Sequence, residues 1–354
     1  MVIKYLCFSG GGIIGLPMYG TIKRLHQLKF WEHKNIKTIY GCSVGAIIGL
    51  IVLLDISWNW IDDYFIKRPW KNIFDIDNID YIKYISEKGL IDINTWYKII
   101  TPLLKSKNIS PDITMLELYN LTNIKFNIYS TKLIGIESKI INHETEPHMK
   151  LLLAISITTS IPGLSKPIYY NKNFLMDGGL LNNNPINDCC KYNNHYEILN
   201  ICNDKCDDKF EINNNYTINN NLDKYINNDI SDNILDFDTS NNILDFDTSN
   251  CENITNIYDN INRLQSNIDN SCNIIEYTEL LIRNLVKHII TIHCNNNVCI
   301  ENKINIGIGN NNLDIESWFN ILFNEKNIEK YISFGYLQAE KFYIKKYKIN
   351  CVPK

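Results

Sequence analysis

The chain has 354 residues, 45% of them hydrophobic, enough for a sizeable core in one large domain or two small ones. Its formal net charge is −4, which leaves no general basic footprint for nucleic acid. The 11 cysteines are odd in number and scattered, and the close pairs Cys202/Cys206 and Cys294/Cys299 lack histidines at zinc-finger spacing, so they read as free thiols with no bound metal.

In chain order, "VIKYLCF" at 2–8 predicts a strand, "LPMYGTIKRLHQL" at 16–28 a helix, "IKTIYGC" at 36–42 a second strand and "VGAIIGLIVLL" at 44–54 a second helix. The opening residues carry one lysine and only a short apolar run before a glycine cluster, so they read as a strand and not as a signal peptide. The run at 44–54 is well short of the ~20 residues a spanning helix needs and reads as a buried core helix. Helices are expected near 92–105 and 113–121, strands near 125–130 and 133–141, a helix near 148–157, a strand pair at 168–176 and a strand at 197–203. Strand–helix alternation implies a mainly parallel sheet with right-handed crossovers.

Composition then shifts. Residues 203–273 are dominated by asparagine and aspartate and contain the nonapeptide "NILDFDTSN" twice in tandem, at 233–241 and 242–250. Fourteen acidic residues against four basic ones give this stretch −10 and leave +6 on the rest. Such a segment buries little and is expected to be a disordered insertion between a core at 1–202 and a completing segment at 274–354. Its Asp-Phe-Asp pairs lack the glycine turn and terminal glutamate of an EF-hand calcium loop. A helix at 274–293, a strand at 303–309 and helices at 314–324 and 328–346 are expected beyond it.

Gly10, Gly12 and Gly15 satisfy G-x-G-x-x-G between strand and helix, but the second strand ends in no carboxylate for a ribose and the loop in no Gly-Lys-Ser/Thr for a phosphate. That strand ends instead in Gly41-Cys42-Ser43-Val44-Gly45, a G-x-S-x-G between an apolar strand and an apolar helix, the setting of a nucleophile elbow. A serine nucleophile needs an oxyanion hole, and the side-chain-free amides of Gly10, Gly11 and Gly12 on the neighbouring strand can supply it. It also needs a base. None of the seven histidines (His26, His33, His143, His148, His195, His288, His293) lies in a glycine-marked loop, whereas Asp177 closes an apolar strand and is followed by Gly178 and Gly179. A turn or helix-capping role for that Asp-Gly pair is the alternative.

Taken together, "FSGGGIIGLPMYG", "GCSVGA" and "TSIPGLSKPIYYNKNFLMDGGLLNNNP" resemble, in order and spacing, three blocks of the patatin-like phospholipases. The resemblance covers roughly 1–202 and resumes weakly at 303–346. It implies a three-layer α/β/α hydrolase fold with a mainly parallel central sheet. It further implies a Ser43–Asp177 dyad without histidine, an oxyanion loop at Gly10 to Gly12, and calcium-independent hydrolysis of lipid or phospholipid acyl esters with no cofactor. With no signal peptide or spanning helix read in the sequence, the expected setting is cytoplasmic with transient contact to a membrane surface, and the helices near 92–121 and 148–161 are candidates to line an acyl channel. The chain departs from the family where Lys or Arg usually precedes the last glycine of the loop, since Ile14 stands there. A lipid-binding protein of this fold without turnover and a histidine-dependent esterase are the competing readings.

Overall fold

The computed structural model describes residues 2–74, 89–132, 137–203, 300–307 and 315–349. Its strands are β1 (Tyr5–Phe8), β2 (Thr38–Cys42), β3 (Lys125–Lys132), β4 (Glu137–Ile141), β5 (Ile168–Tyr170), β6 (Asn173–Asp177), β7 (Ile198–Cys202) and β8 (Lys303–Asn305). They hydrogen-bond in the order β5-β6-β3-β2-β1-β7-β8, with β4 also on β3. The pairs β1–β2, β2–β3, β1–β7 and β7–β8 are parallel, and β3–β4, β3–β6 and β5–β6 antiparallel. The sheet is thus mixed and mainly parallel, as expected.

The described helices are α1 (Gly15–Gln27), α2 (Val44–Leu53), α3 (Trp58–Ile66), α4 (Trp70–Phe74), α5 (Ile93–Lys105), α6 (Met115–Thr122), α7 (Leu151–Thr158), α8 (Ile186–Tyr192), α9 (Ile315–Leu322) and α10 (Glu325–Ile349), apart from short 3-10 turns. Strands β2 and β7 are buried at every residue, because parallel strands carry helices on both faces. Side chains alternate: Leu6, Phe8, Ile39, Leu199 and Ile201 face the main core with α1, α2 and α10, while Cys7, Tyr40, Cys42, Tyr129 and Ile198 face a smaller core closed by Ile186 and Cys189 of α8. Helix α2 is apolar on every side and buried from Gly45 to Leu53. Helix α10 lies along α1, where Thr21 Oγ1 donates to the Gly335 carbonyl at 2.9 Å and Arg24 pairs with Glu340 at 2.5 Å.

Strand β3 organises this half of the sheet. Its residues 128–132 pair with β4 along one edge, while on the other edge residues 125–129 pair with β2 and residues 130–132 with β6. Parallel β2 and antiparallel β6 therefore run head-on along one edge. Their C-terminal residues, Cys42 opposite Tyr129 and Asp177 opposite Ser130, meet in the middle.

Three helices were not expected, α3, α4 and α8, and the strand expected at 303–309 is described only as Lys303–Asn305. The helix expected at 274–293 and the asparagine-rich stretch from 204 onward lie outside the described residues. Cys7, Cys42, Cys189, Cys190 and Cys202 are thiols and not disulfides. Among the described residues no helix is long and apolar enough to cross a membrane.

Candidate active site

The head-on meeting of β2 and β6 puts Ser43 one residue beyond Cys42, directly against Asp177. Ser43 Oγ donates to Asp177 Oδ2 at 2.5 Å, and both residues are 5% exposed. Asp177 Oδ1 accepts the Gly179 N–H at 2.7 Å, and the Cys42 thiol lies 4.0 Å from the same oxygen. The carboxylate thus has two good hydrogen bonds, yet burial outweighs them and pushes its pKa from 3.8 up to about 6.

Ser43 occupies φ 52°, ψ −127°, a strained conformation for a residue with a side chain. The sharp turn aims the hydroxyl away from the strand and sets it at the N-terminus of α2, where the helix dipole favours negative charge. The turn requires a residue without Cβ at Gly45, because a methyl there would lie 2.5 Å from the carbonyl oxygens of both Phe8 and Ser9. This close approach carries the elbow over the end of β1, from which the glycine loop departs.

Within that loop the three amides differ. The Gly10 N–H donates to the Asn183 carbonyl at 2.9 Å, so it is already engaged in tying the loop to the Asp-Gly-Gly block. The Gly11 and Gly12 N–H groups have no partner among the described residues. Gly12 has φ +57°, and a Cβ on it would lie 2.3 Å from the Trp318 ring, so the indole of α9 lies directly over the loop. Ile14 is 6% exposed and packs in the main core. Nor does the next helix supply the missing cation, since Lys23 pairs with Asp62 at 2.5 Å and Arg24 with Glu340.

A cavity of about 140 Å³ opens beside Ser43. Its walls are apolar, with Tyr64, Phe65, Trp70 and Phe74 from α3 and α4, and Trp96 and Ile99 from α5. Trp318, Phe319 and Leu322 of α9 complete it. The expected contribution of the stretch near 92–105 is present, and Thr159, Ile161 and Leu164 follow α7 into the wall. Helix α6, also expected there, is not among the lining elements. It packs instead through Met115 and Leu118 into the main core. Three of the five described histidines have partners away from Ser43 and Asp177: His33 meets the Leu53 carbonyl, His26 lies among Trp31 and Trp58, and His143 stacks on Tyr119.

Comparison with known proteins identifies the family. Residues 6–189 match the family of patatin-like phospholipases. The probable lipid hydrolase 463L of Invertebrate iridescent virus 6 is 31% identical over 194 residues, 54% of this chain and 64% of that protein. An uncharacterised protein of Acanthamoeba polyphaga mimivirus is 29% identical over 188 residues, 52% of this chain and 60% of its own length. The match thus spans less than two thirds of either relative. Among solved structures, VipD from Legionella pneumophila aligns with a TM-score of 0.35 at 16% identity, covering 57% of this chain and 50% of that one.

Proposed function

Because the chain belongs to the patatin-like phospholipase family, we propose that it hydrolyses acyl esters of lipids through a Ser43–Asp177 dyad and an acyl-enzyme. The 2.5 Å hydrogen bond between Ser43 Oγ and a buried carboxylate, at the mouth of an apolar cavity, carries this reading. Ser43 attacks the ester carbonyl carbon while its proton passes to Asp177 Oδ2. The carbonyl oxygen becomes an oxyanion, to which the N–H groups of Gly11 and Gly12 donate hydrogen bonds. Collapse of the tetrahedral intermediate expels the alcohol, which takes the proton from Asp177. Water then gives a proton to Asp177 as its oxygen bonds to the acyl carbon; the Ser43 Oγ–acyl bond breaks, Oγ takes the proton back from Asp177, and the fatty acid leaves. A base of pKa about 6 suits both directions of transfer near neutral pH.

The cavity supports a single acyl chain as its occupant. An apolar cavity of roughly 150 Å³ stays dry and takes one benzene ring, so the 140 Å³ beside Ser43 holds the carbons nearest the ester and no second chain. None of these steps calls on calcium. The substrate reaches the site from a lipid surface by transient contact, with phospholipase A chemistry as the specific form. The test is a panel of phospholipids, lysolipids and neutral glycerides with products identified by mass spectrometry, comparing wild type with Ser43→Ala. Release of fatty acid by wild type alone is expected. Equal release by both proteins would overturn the assignment, and binding without release would favour a non-catalytic lipid carrier.

A further inference from the structure

The two members of the dyad stand on different strands, and one short stretch touches both. Thr158 ends α7 with its side chain fully buried. Its Oγ1 accepts the Ser43 N–H at 2.9 Å and donates its own proton to the Tyr129 carbonyl. Two residues on, the Ser160 carbonyl accepts the Asp177 N–H at 3.0 Å. Tyr129 in turn pairs with Cys42, and Ser130 with Asp177. The stretch 158–160 therefore closes a ring of hydrogen bonds around the point where β2 and β6 meet. Side chains brace it: Thr159 Oγ1 donates to the Ile155 carbonyl at 2.8 Å and Ser160 Oγ to the Ser156 carbonyl at 2.6 Å.

The strained backbone of Ser43 persists only where its surroundings over-determine it. Its side chain makes no capping bond to its own helix, so the amide bond to Thr158 is the restraint on that side. We infer that Thr158 is a positioning residue for the nucleophile: its hydroxyl holds the elbow amide in the same frame that holds the Asp177 amide, and so sets the distance between Ser43 Oγ and the carboxylate. The inference rests on the proposed serine-hydrolase activity. Thr158 is not among the residues lining the cavity, so its effect falls on the reacting geometry and not on substrate binding.

Thr158→Val keeps the shape and leaves the Ser43 N–H and Tyr129 C=O unpaired. It is expected to lower kcat on a soluble short-chain ester, and the rate of Ser43 labelling by a fluorophosphonate, by about 10- to 100-fold, as a displacement approaching 1 Å does. KM should stay within about threefold. Thr158→Ser restores the hydroxyl and should restore kcat. Ser156→Ala removes an equally buried hydroxyl of the same helix, which among the described residues bonds only to the Leu152 carbonyl, and should leave kcat unchanged. If the valine variant does not fold, Thr158→Cys takes its place, with the expected order threonine, serine, then cysteine. Equal kcat per folded molecule in wild type and Thr158→Val, failure of Thr158→Ser to rescue, or an equal loss in Ser156→Ala would overturn the positioning role. A wild-type protein that Ser43-directed probes do not label would instead overturn the hydrolase reading beneath it.

Discussion

Replacing Asp177 by asparagine should abolish hydrolysis and, at neutral pH, stabilise the fold. In the folded chain burial raises this carboxyl to about 6, against 3.8 for the free side chain. The folded state therefore holds its proton where the unfolded chain has released it. Asp177 thus costs nothing below pH ~3.8, an increasing amount as pH rises, and its full cost above pH ~6. At about 1.4 kcal/mol per tenfold in proton affinity, that cost is about 3 kcal/mol. Asparagine fits the same space without the charge. Its oxygen can accept the Gly179 N–H, and its amide can donate to Ser43 Oγ, which is free to send its own proton elsewhere. At about 2 °C per kcal/mol for a domain of this size, the variant should melt about 6 °C above wild type at pH 8. The assay is thermal unfolding of both proteins from pH 4 to 8, with ester hydrolysis followed in parallel. The gap should be near zero at the acid end and open between pH 4 and 6. A gap independent of pH, or a variant less stable than wild type at pH 8, would refute the claim that Asp177 is charged at the expense of the fold.

The other expectations concern the chemistry and the frame around it. The kcat/KM of wild type should rise with pH through about 6, following ionisation of the base, and an acid limb centred near 4 would contradict the buried carboxylate. Ser43→Ala should lose most activity, and Ser43→Ala/Asp177→Asn should be little worse than either single change, because the pair acts as one unit. Gly11→Val displaces a loop amide that has no other partner among the described residues and should cost about 2.7–4 kcal/mol of transition-state stabilisation, read as kcat loss. A drop in melting temperature that accounts for the whole loss would mean the glycine serves packing, since a Cβ there meets Ile14 at 3.1 Å. Deleting residues 207–270 should leave esterase activity and thermal midpoint nearly unchanged, because closure cost varies slowly with loop length. An unfolded deletion product would show that the stretch is a structural element.

The candidate residues Ser43 and Asp177 could be picked out in sequence because the pattern around each is local. A strand, a G-x-S-x-G and an apolar helix mark the elbow within a few consecutive residues, and an Asp-Gly-Gly after an apolar strand marks a strand end that closes on a carboxylate. What was not legible depends on contacts made far away. The stretch "ISWNWIDDYFIKRPWKNIF" at 56–74 yields two helices that its local pattern does not announce. Its aromatic and β-branched residues are indifferent helix formers, and Pro69 interrupts the pattern. Burial decides there: Tyr64 packs on Phe65 and Trp70, and Phe74 meets Phe319 of α9 edge-on. The aromatic part of the cavity wall that these helices supply, Tyr64, Phe65, Trp70 and Phe74, was hidden in consequence. Trp318 over Gly12, the Gly10 amide taken by Asn183, and Thr158 behind Ser43 are all pairings across more than a hundred residues, and no spacing rule reports them. Ile14, read as a missing charge, is a core residue.

The packing of α10 along α1 has a consequence for how the molecule is made. Ser43 and Asp177 are both synthesised within the first half of the chain, but the partner that covers α1 arrives only with residues 325–349. Domains tend to fold as units while emerging from the ribosome, N-terminal parts first. Here α1 waits for α10. A nascent chain halted before residue 325 carries the serine and the carboxylate yet leaves the face of α1 at Pro17, Gly20, Thr21 and Arg24 without that cover. Such a product exposes a helix face that the complete fold buries, so truncation late in the message yields substrates for chaperones and proteases.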